Sequence, residues 1–187
     1  MRRSPLLSAL LVVALSTTVT APASATVMAP VTVDALAQDS ELVLVVTPMP
    51  GRRAFWRQGR IFTDVTCVAT AVLKGSVTVG ARVTVRLPGG VVGDVTQALA
   101  GAPALEDGVP VVVFLSPDRE GVRTVNGLSA GVLPLSTTPT GTVVVTPART
   151  DGITFLPSPT TPHPRITVPP EGMALERLAA LLREVIR

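Results

Sequence analysis

The 187-residue chain has no tyrosine, one cysteine, one histidine and one tryptophan, and aromatic residues form 3% of it. The lone cysteine, Cys67, rules out an intramolecular disulfide, so stability must come from packing. One histidine and one cysteine cannot supply the several nitrogen and sulfur ligands of a standard zinc site. The histidine, His163, stands between Pro162 and Pro164. That setting suits a linker better than a hydrolytic triad, which needs its imidazole held beside the nucleophile. Long apolar runs are also lacking: the stretch from Leu6 to Leu15 is about half of the roughly 20 residues that cross a bilayer as a helix. Nor is charge of one sign in large excess. With 16 basic and 13 acidic residues, the chain lacks the domain-wide basic footprint that nucleic acid binding leaves, and its one local excess runs from Arg52 to Arg60. These absences predict a protein with no catalytic residue set, no metal, no cofactor and no nucleic acid partner.

What is present begins with Arg2 and Arg3, followed by the apolar run, polar Ser16 to Thr20 and then Ala23-Ser24-Ala25. That is the three-part order of a secretory signal peptide, so residues 1–25 are expected to be removed after Ala25. No cysteine stands near that point to accept a lipid, and no transmembrane anchor would remain after cleavage. The expected location is therefore secreted, periplasmic or in the cell envelope. Loss of Arg2 and Arg3 leaves 14 basic against 13 acidic residues, a formal charge of +1. The remaining length suits one ordinary domain with a core, not two.

Abundant Val and Thr, punctuated by Gly and Pro, predict short strands joined by tight turns. Thr32 is placed to cap a short helical turn over Val33 to Gln38, with Asp34 at its positive end, and this turn is expected to close one end of the sheet structure. The β-branched run Leu42 to Val46 reads as a strand buried on both faces. After a loop, Ile61, Thr63, Val65, Cys67, Ala69, Ala71 and Leu73 form one alternate set, expected to face the core. Cys67 reads as a small apolar residue buried in that strand, the alternative being a reactive thiol. Lys74-Gly75 makes a turn. Arg82, Thr84 and Arg86 then alternate with Val83, Val85 and Leu87 as a half-exposed strand. Further strands are predicted at Val91 to Ala98, Val109 to Leu115, Val122 to Val125, Gly131 to Leu135 and Thr142 to Thr146.

The fold class expected is mainly β: a small antiparallel barrel or sandwich, OB-like, with a short N-terminal helical turn and a C-terminal amphipathic helix. Four segments result: the leader at 1–25, a β-rich domain at 26–156, a proline-rich strap at 157–170 and a terminal helix at 171–187. In that helix Leu175, Leu178, Leu182 and Val185 recur at helical spacing. It is expected to fold back onto the domain, since so short a helix is marginal alone, the alternative being a docking helix for a partner.

The segments Gly59 to Thr63, Val72-Leu73-Lys74-Gly75, Leu87-Pro88-Gly89-Gly90, Gly101-Ala102-Pro103 and Val112-Val113-Phe114-Leu115 together resemble a family of uncharacterised exported bacterial domains. The resemblance covers roughly Val31 to Leu135. Where that family usually has Gly-Glu before the Phe-Leu strand, this chain has Gly108-Val109-Pro110. More distantly, the buried strand, long loop, strand and Lys-Gly turn are similar to the OB-type barrel of netrin-like and metalloproteinase-inhibitor modules. The resemblance implies the barrel; the inhibitory chemistry of those modules needs an N-terminal cysteine that this chain lacks.

Two constellations remain. Asp64, Asp94, Glu106, Asp107, Asp118 and Glu120 are acidic residues at turns and on wet strand faces, from which a carboxylate pair for a secreted hydrolase would have to be drawn. The second is Arg52-Arg53-Ala54-Phe55-Trp56-Arg57-Gln58-Gly59-Arg60, where four of the arginines flank the single tryptophan and a phenylalanine. Arg and Trp are the types that most often dominate binding energy when clustered. Arg52, Arg53, Phe55, Trp56, Arg57 and Arg60 are accordingly the candidate binding residues, for an anionic polysaccharide or a partner protein. The alternative is a hairpin whose Phe55 and Trp56 fold over a barrel end. The preferred functional reading is an exported, non-enzymatic binding or interaction module; the carboxylate-pair hydrolase is the alternative.

Overall fold

The computed structural model describes residues 25–118, 120–156 and 164–186. All of the expected leader but Ala25 lies outside them, as do His163 and residues 157–162 of the expected strap. Along the chain come β1 (Thr26–Met28), α1 (Val33–Asp39), β2 (Leu42–Pro48), β3 (Arg53–Arg57), β4 (Arg60–Lys74), β5 (Arg82–Pro88), β6 (Gly90–Val92) and β7 (Val95–Gln97). Then follow β8 (Val111–Pro117), β9 (Arg123–Val125), a 3-10 turn (Leu128–Gly131), β10 (Val132–Thr137), β11 (Val143–Val145), β12 (Ile153–Phe155), β13 (Met173–Ala174) and α2 (Leu175–Ile186).

The protein is mainly β and contains a closed five-strand barrel. β8, β2, β4 and β5 are neighbours in that order, and β9 bonds both β5 and β8 to complete the ring. Every ladder of the ring is antiparallel except the closing one: β5 and β9 run parallel. Numbered by order within the ring, the strands lie 1-2-3-5-4, the Greek-key arrangement of an OB-type barrel. Closure removes the edges that five short strands would otherwise expose.

Two apolar layers follow from the alternation of side chains. Leu42, Leu44 and Val46 of β2 join Val65, Cys67, Ala69, Val83, Val85, Val113 and Leu115 in the barrel interior. Val43 and Val45, pointing the other way, form a second core with Val112, Phe114, Leu133, Leu178 and Leu182. The strand expected to be buried on both faces is buried on both because α1 and α2 cover its outer side. Thr32 caps α1, its Oγ1 accepting from Ala35 N at 3.1 Å. At the other end Lys74 Nζ donates to the carbonyls of Ala37 and Gln38, where a cation meets the negative end of the helix.

Two expectations need correction. The helix α1 does not close an end of the barrel: its Leu36 and Ala37 belong to the outer core, while Leu105, from the 98–110 loop, enters the interior instead. The alternation of β4 also fails to run its length. Val46 pairs with Ala69 and Val45 with Ala71, so Thr70 is an extra residue opposite β2. This bulge reverses the parity. Val65, Cys67 and Ala69 point inward as expected; Ile61 is buried but outside the interior cluster, and Thr63 is only half-buried, its hydroxyl donating to the Gly89 carbonyl. Beyond Thr70 it is Val72 that packs on the interior while Ala71 and Leu73 join the outer core. The terminal helix does fold back, with Leu178 and Leu182 fully buried.

Candidate binding face

The stretch from Arg52 to Arg60 is a hairpin. Gln58 and Gly59 both have positive φ, 50° and 73°, the combination of a type I′ turn whose twist matches the flanking strands. β3 and β4 pair Arg57 with Arg60, Phe55 with Phe62 and Arg53 with Asp64. β5 continues the same rows, pairing Phe62 with Pro88 and Asp64 with Arg86, then Thr66 with Thr84 and Val68 with Arg82. Cross-strand partners share a face. The outer wall of β3, β4 and β5 therefore carries an arginine row, an aromatic row and a charged row, in that order from the hairpin tip.

Asp64 grips Arg86 with both oxygens, at 2.8 Å from Nε and 3.0 Å from Nη2, a fork-to-fork geometry that sets orientation as well as energy. Arg86 Nη1 also lies 3.4 Å from Asp118 Oδ2 and 3.4 Å from Glu120 Oε2. Its guanidinium sits 4.9 Å from the centre of the Phe55 ring, within cation–π range. The Asp64 hydrogen bond holds the Arg86 pKa above its already high value, against the opposing effect of burial.

The 118–122 turn joins β8 to β9 and rests on the hairpin. Asp118 Oδ2 is 3.1 Å from Arg57 Nη1, and Glu120 pairs with Arg57 Nη2. Burial works against ionisation of Asp118. The backbone N–H groups of Glu120 and Val122 and the Arg57 guanidinium outweigh it and hold the pKa below the ordinary carboxylate value. Three carboxylates singled out in the sequence thus converge, and all three are ion-paired with arginine. Asp107 instead pairs with Arg52 at 2.7 Å, and Arg52 also donates to the carbonyl of Leu105. Among the described residues no group of three His, Cys, Asp or Glu side chains is placed to hold a metal ion.

The six candidate residues therefore divide. Arg52 pins the hairpin to the 98–110 loop, Arg57 pins it to the 118–122 turn, and Phe55 lies over Arg86. Arg53 and Arg60 are exposed and, like exposed Arg82 on β5, have no carboxylate partner among the described residues. Trp56 alternates to the other side of the hairpin, paired with Ile61, and is 50% exposed. Phe55 alone folds over the barrel wall. Sequence reasoning missed Arg86, Asp118 and Glu120 as partners of this stretch. Alternation marked Arg86 as surface, whereas its partners leave it 9% exposed, and nothing local signals that Asp118 returns to Arg57.

Cys67 is buried in the barrel interior. Burial, chiefly, pushes its thiol up to about 11, with Arg52 lowering and Asp107 raising it further. It is not a nucleophile at neutral pH. No protein-family model, curated protein or solved structure matches the chain.

Proposed function

We propose that the chain is an exported, non-enzymatic binding module whose ligand surface is the outer wall of β3, β4 and β5 with the hairpin tip. The observation that carries this reading is the division of arginines on that wall. Arg57 and Arg86 are consumed by Asp64, Asp118 and Glu120, while Arg53 and Arg60 near the Phe55 ring, and Arg82 farther along the same wall, stand exposed without a carboxylate partner among the described residues. Arginines spread along three strands offer repeated charge-assisted contacts to an extended anion. The same wall, with the loops at its ends, is where OB-type barrels hold oligosaccharides and oligonucleotides. The lack of a domain-wide basic footprint argues against nucleic acid; a short anionic polysaccharide segment is the ligand class proposed, and an acidic partner protein is the second class.

The leader-like N-terminus and the resemblance to exported domains support the location. Against the hydrolase reading stands the pairing of each converging carboxylate with arginine, which leaves none of them a poised proton donor. Titration of the purified chain with a uronate polymer, followed by Trp56 fluorescence and calorimetry, tests the proposal. Binding should weaken with added salt, be absent for a neutral dextran and be reduced by Arg53→Ala with Arg60→Ala. Failure to bind at low salt, or equal binding to dextran, overturns the polysaccharide reading.

A further inference from the structure

A separate cleft of about 410 Å³ lies between the 98–110 loop, β10 and the segment that follows β11. Its floor is sheet: Val111 and Pro134 face each other across β8 and β10, with Val132 beside them. Val111 and Val132 also belong to the barrel core, so the floor cannot shift without disturbing the interior. The walls are tied down by backbone bonds, Ser129 N to Gly101 O at 3.0 Å, Gly108 N to Pro48 O at 2.8 Å and Thr146 N to Pro134 O at 2.9 Å. The cleft is therefore preformed, and its volume falls in the ~300–1,000 Å³ range of small-molecule sites.

Three charged side chains, Glu106, Arg149 and Asp151, stand around this apolar floor. All three are exposed, and none has an ion-pair partner among the described residues. One cation and two carboxylates share a rim without neutralising one another. A simple carboxylic acid would meet Arg149 but face two like charges, and a simple amine would meet the carboxylates but face Arg149. A zwitterion with an apolar body satisfies both signs and covers the floor. Val109, 40% exposed at the mouth, extends the apolar surface available to it.

We propose that this cleft binds a short apolar peptide with free termini, of dipeptide size: the ammonium group toward Glu106 and Asp151, the carboxylate toward Arg149, the side chains on Val111, Val132 and Pro134. The assignment is independent of the arginine wall. Exposed charges contribute modestly, so affinity in the millimolar range is expected.

Titration of the purified chain with leucyl-leucine, read by amide chemical shifts, should saturate with the largest shifts at residues lining the cleft. Arg149→Ala should weaken binding about two- to fivefold, and capping both peptide termini should do the same or more. Ala104→Trp fills the cleft from an exposed wall position. It should abolish dipeptide binding while leaving the melting temperature and uronate-polymer binding intact. No saturation up to about 20 mM, some tenfold above the expected range, overturns the proposal. So does equal affinity for the doubly capped peptide, or undiminished binding by a folded Ala104→Trp variant.

Discussion

The guanidinium of Arg86 is clasped by both oxygens of Asp64 on the neighbouring strand, and the Phe55 ring from the hairpin lies over it. The ion pair ties β4 to β5 in a mostly buried setting, with side-chain exposures of 10% and 22%, and the Phe55 ring links it to the hairpin. Removing Asp64 takes away both of the closest contacts of Arg86 and leaves its charge to Asp118 and Glu120, each at 3.4 Å. Asp64→Ala should therefore destabilise the fold by about 3 kcal/mol, a fall in melting temperature of roughly 6–12 °C for a domain of this size. An unchanged melt would mean that Asp118 and Glu120 take over the charge of Arg86 at no cost.

Acid should act through Asp118. Its pKa is lowered in the folded state, so the stability it contributes is present above its unfolded-state pKa and is lost as the pH falls through the lower folded-state value. Between pH 5 and 8 wild type and Asp118→Asn should run parallel in denaturant midpoint against pH; below about pH 4 the wild type should fall more steeply. Curves that stay parallel to the acid end would remove Asp118 as the link between the 118–122 turn and the hairpin.

Trp56 tests whether the hairpin tip packs or is displayed. At 50% exposure, Trp56→Ala should change stability by less than about 1 kcal/mol. Native emission should be close to that of solvent-exposed indole and open to quencher. A blue-shifted, shielded emission with a cost of about 3–5 kcal/mol, as for a buried aromatic, would contradict its placement.

The terminal helix is part of the core. Leu182 and Leu178 are fully buried in the outer core, so Leu182→Ala should cost about 2–5 kcal/mol. Truncation before residue 171 should expose Val43, Val45 and Phe114 and lower the melting temperature sharply. An unaffected truncated chain would show that the outer face of the barrel does not need its cover.

At Gly90 the backbone has φ of 142°, and a Cβ there would overlap Thr63 Oγ1. Gly90→Ala should destabilise the β6–β7 hairpin by at least about 1 kcal/mol. Amide exchange at Val91 to Gln97, measured against the rest of the sheet, checks it.

Much of the architecture was legible because it is written in local periodicity. The double burial of β2, the inward set Val65, Cys67 and Ala69, the Thr32 cap and the apolar stripe of α2 each follow from spacing within one segment. The bulge at Thr70 was not legible: alternation in β4 continues smoothly through it, and only the pairing partner shows that one residue is extra. A hairpin over Arg52 to Arg60 was one of the two readings of that stretch and is what forms; the type of its turn was not legible, since Gln58 is an uncommon residue at positive φ.

The sequence by itself determined the main run of strands, the clustering of arginine around Trp56 and the exclusion of an intramolecular disulfide, because these depend on residue identity and near neighbours. Only the tertiary structure decided which charges are spent. Arg57 meets Asp118 and Glu120 across 61 and 63 positions of chain, because ring closure through the parallel β5–β9 ladder brings the 118–122 turn beside the hairpin. A side chain's partners are set by the path of the backbone between them, and in a barrel that path is fixed by closure of the whole ring, not by any segment within it.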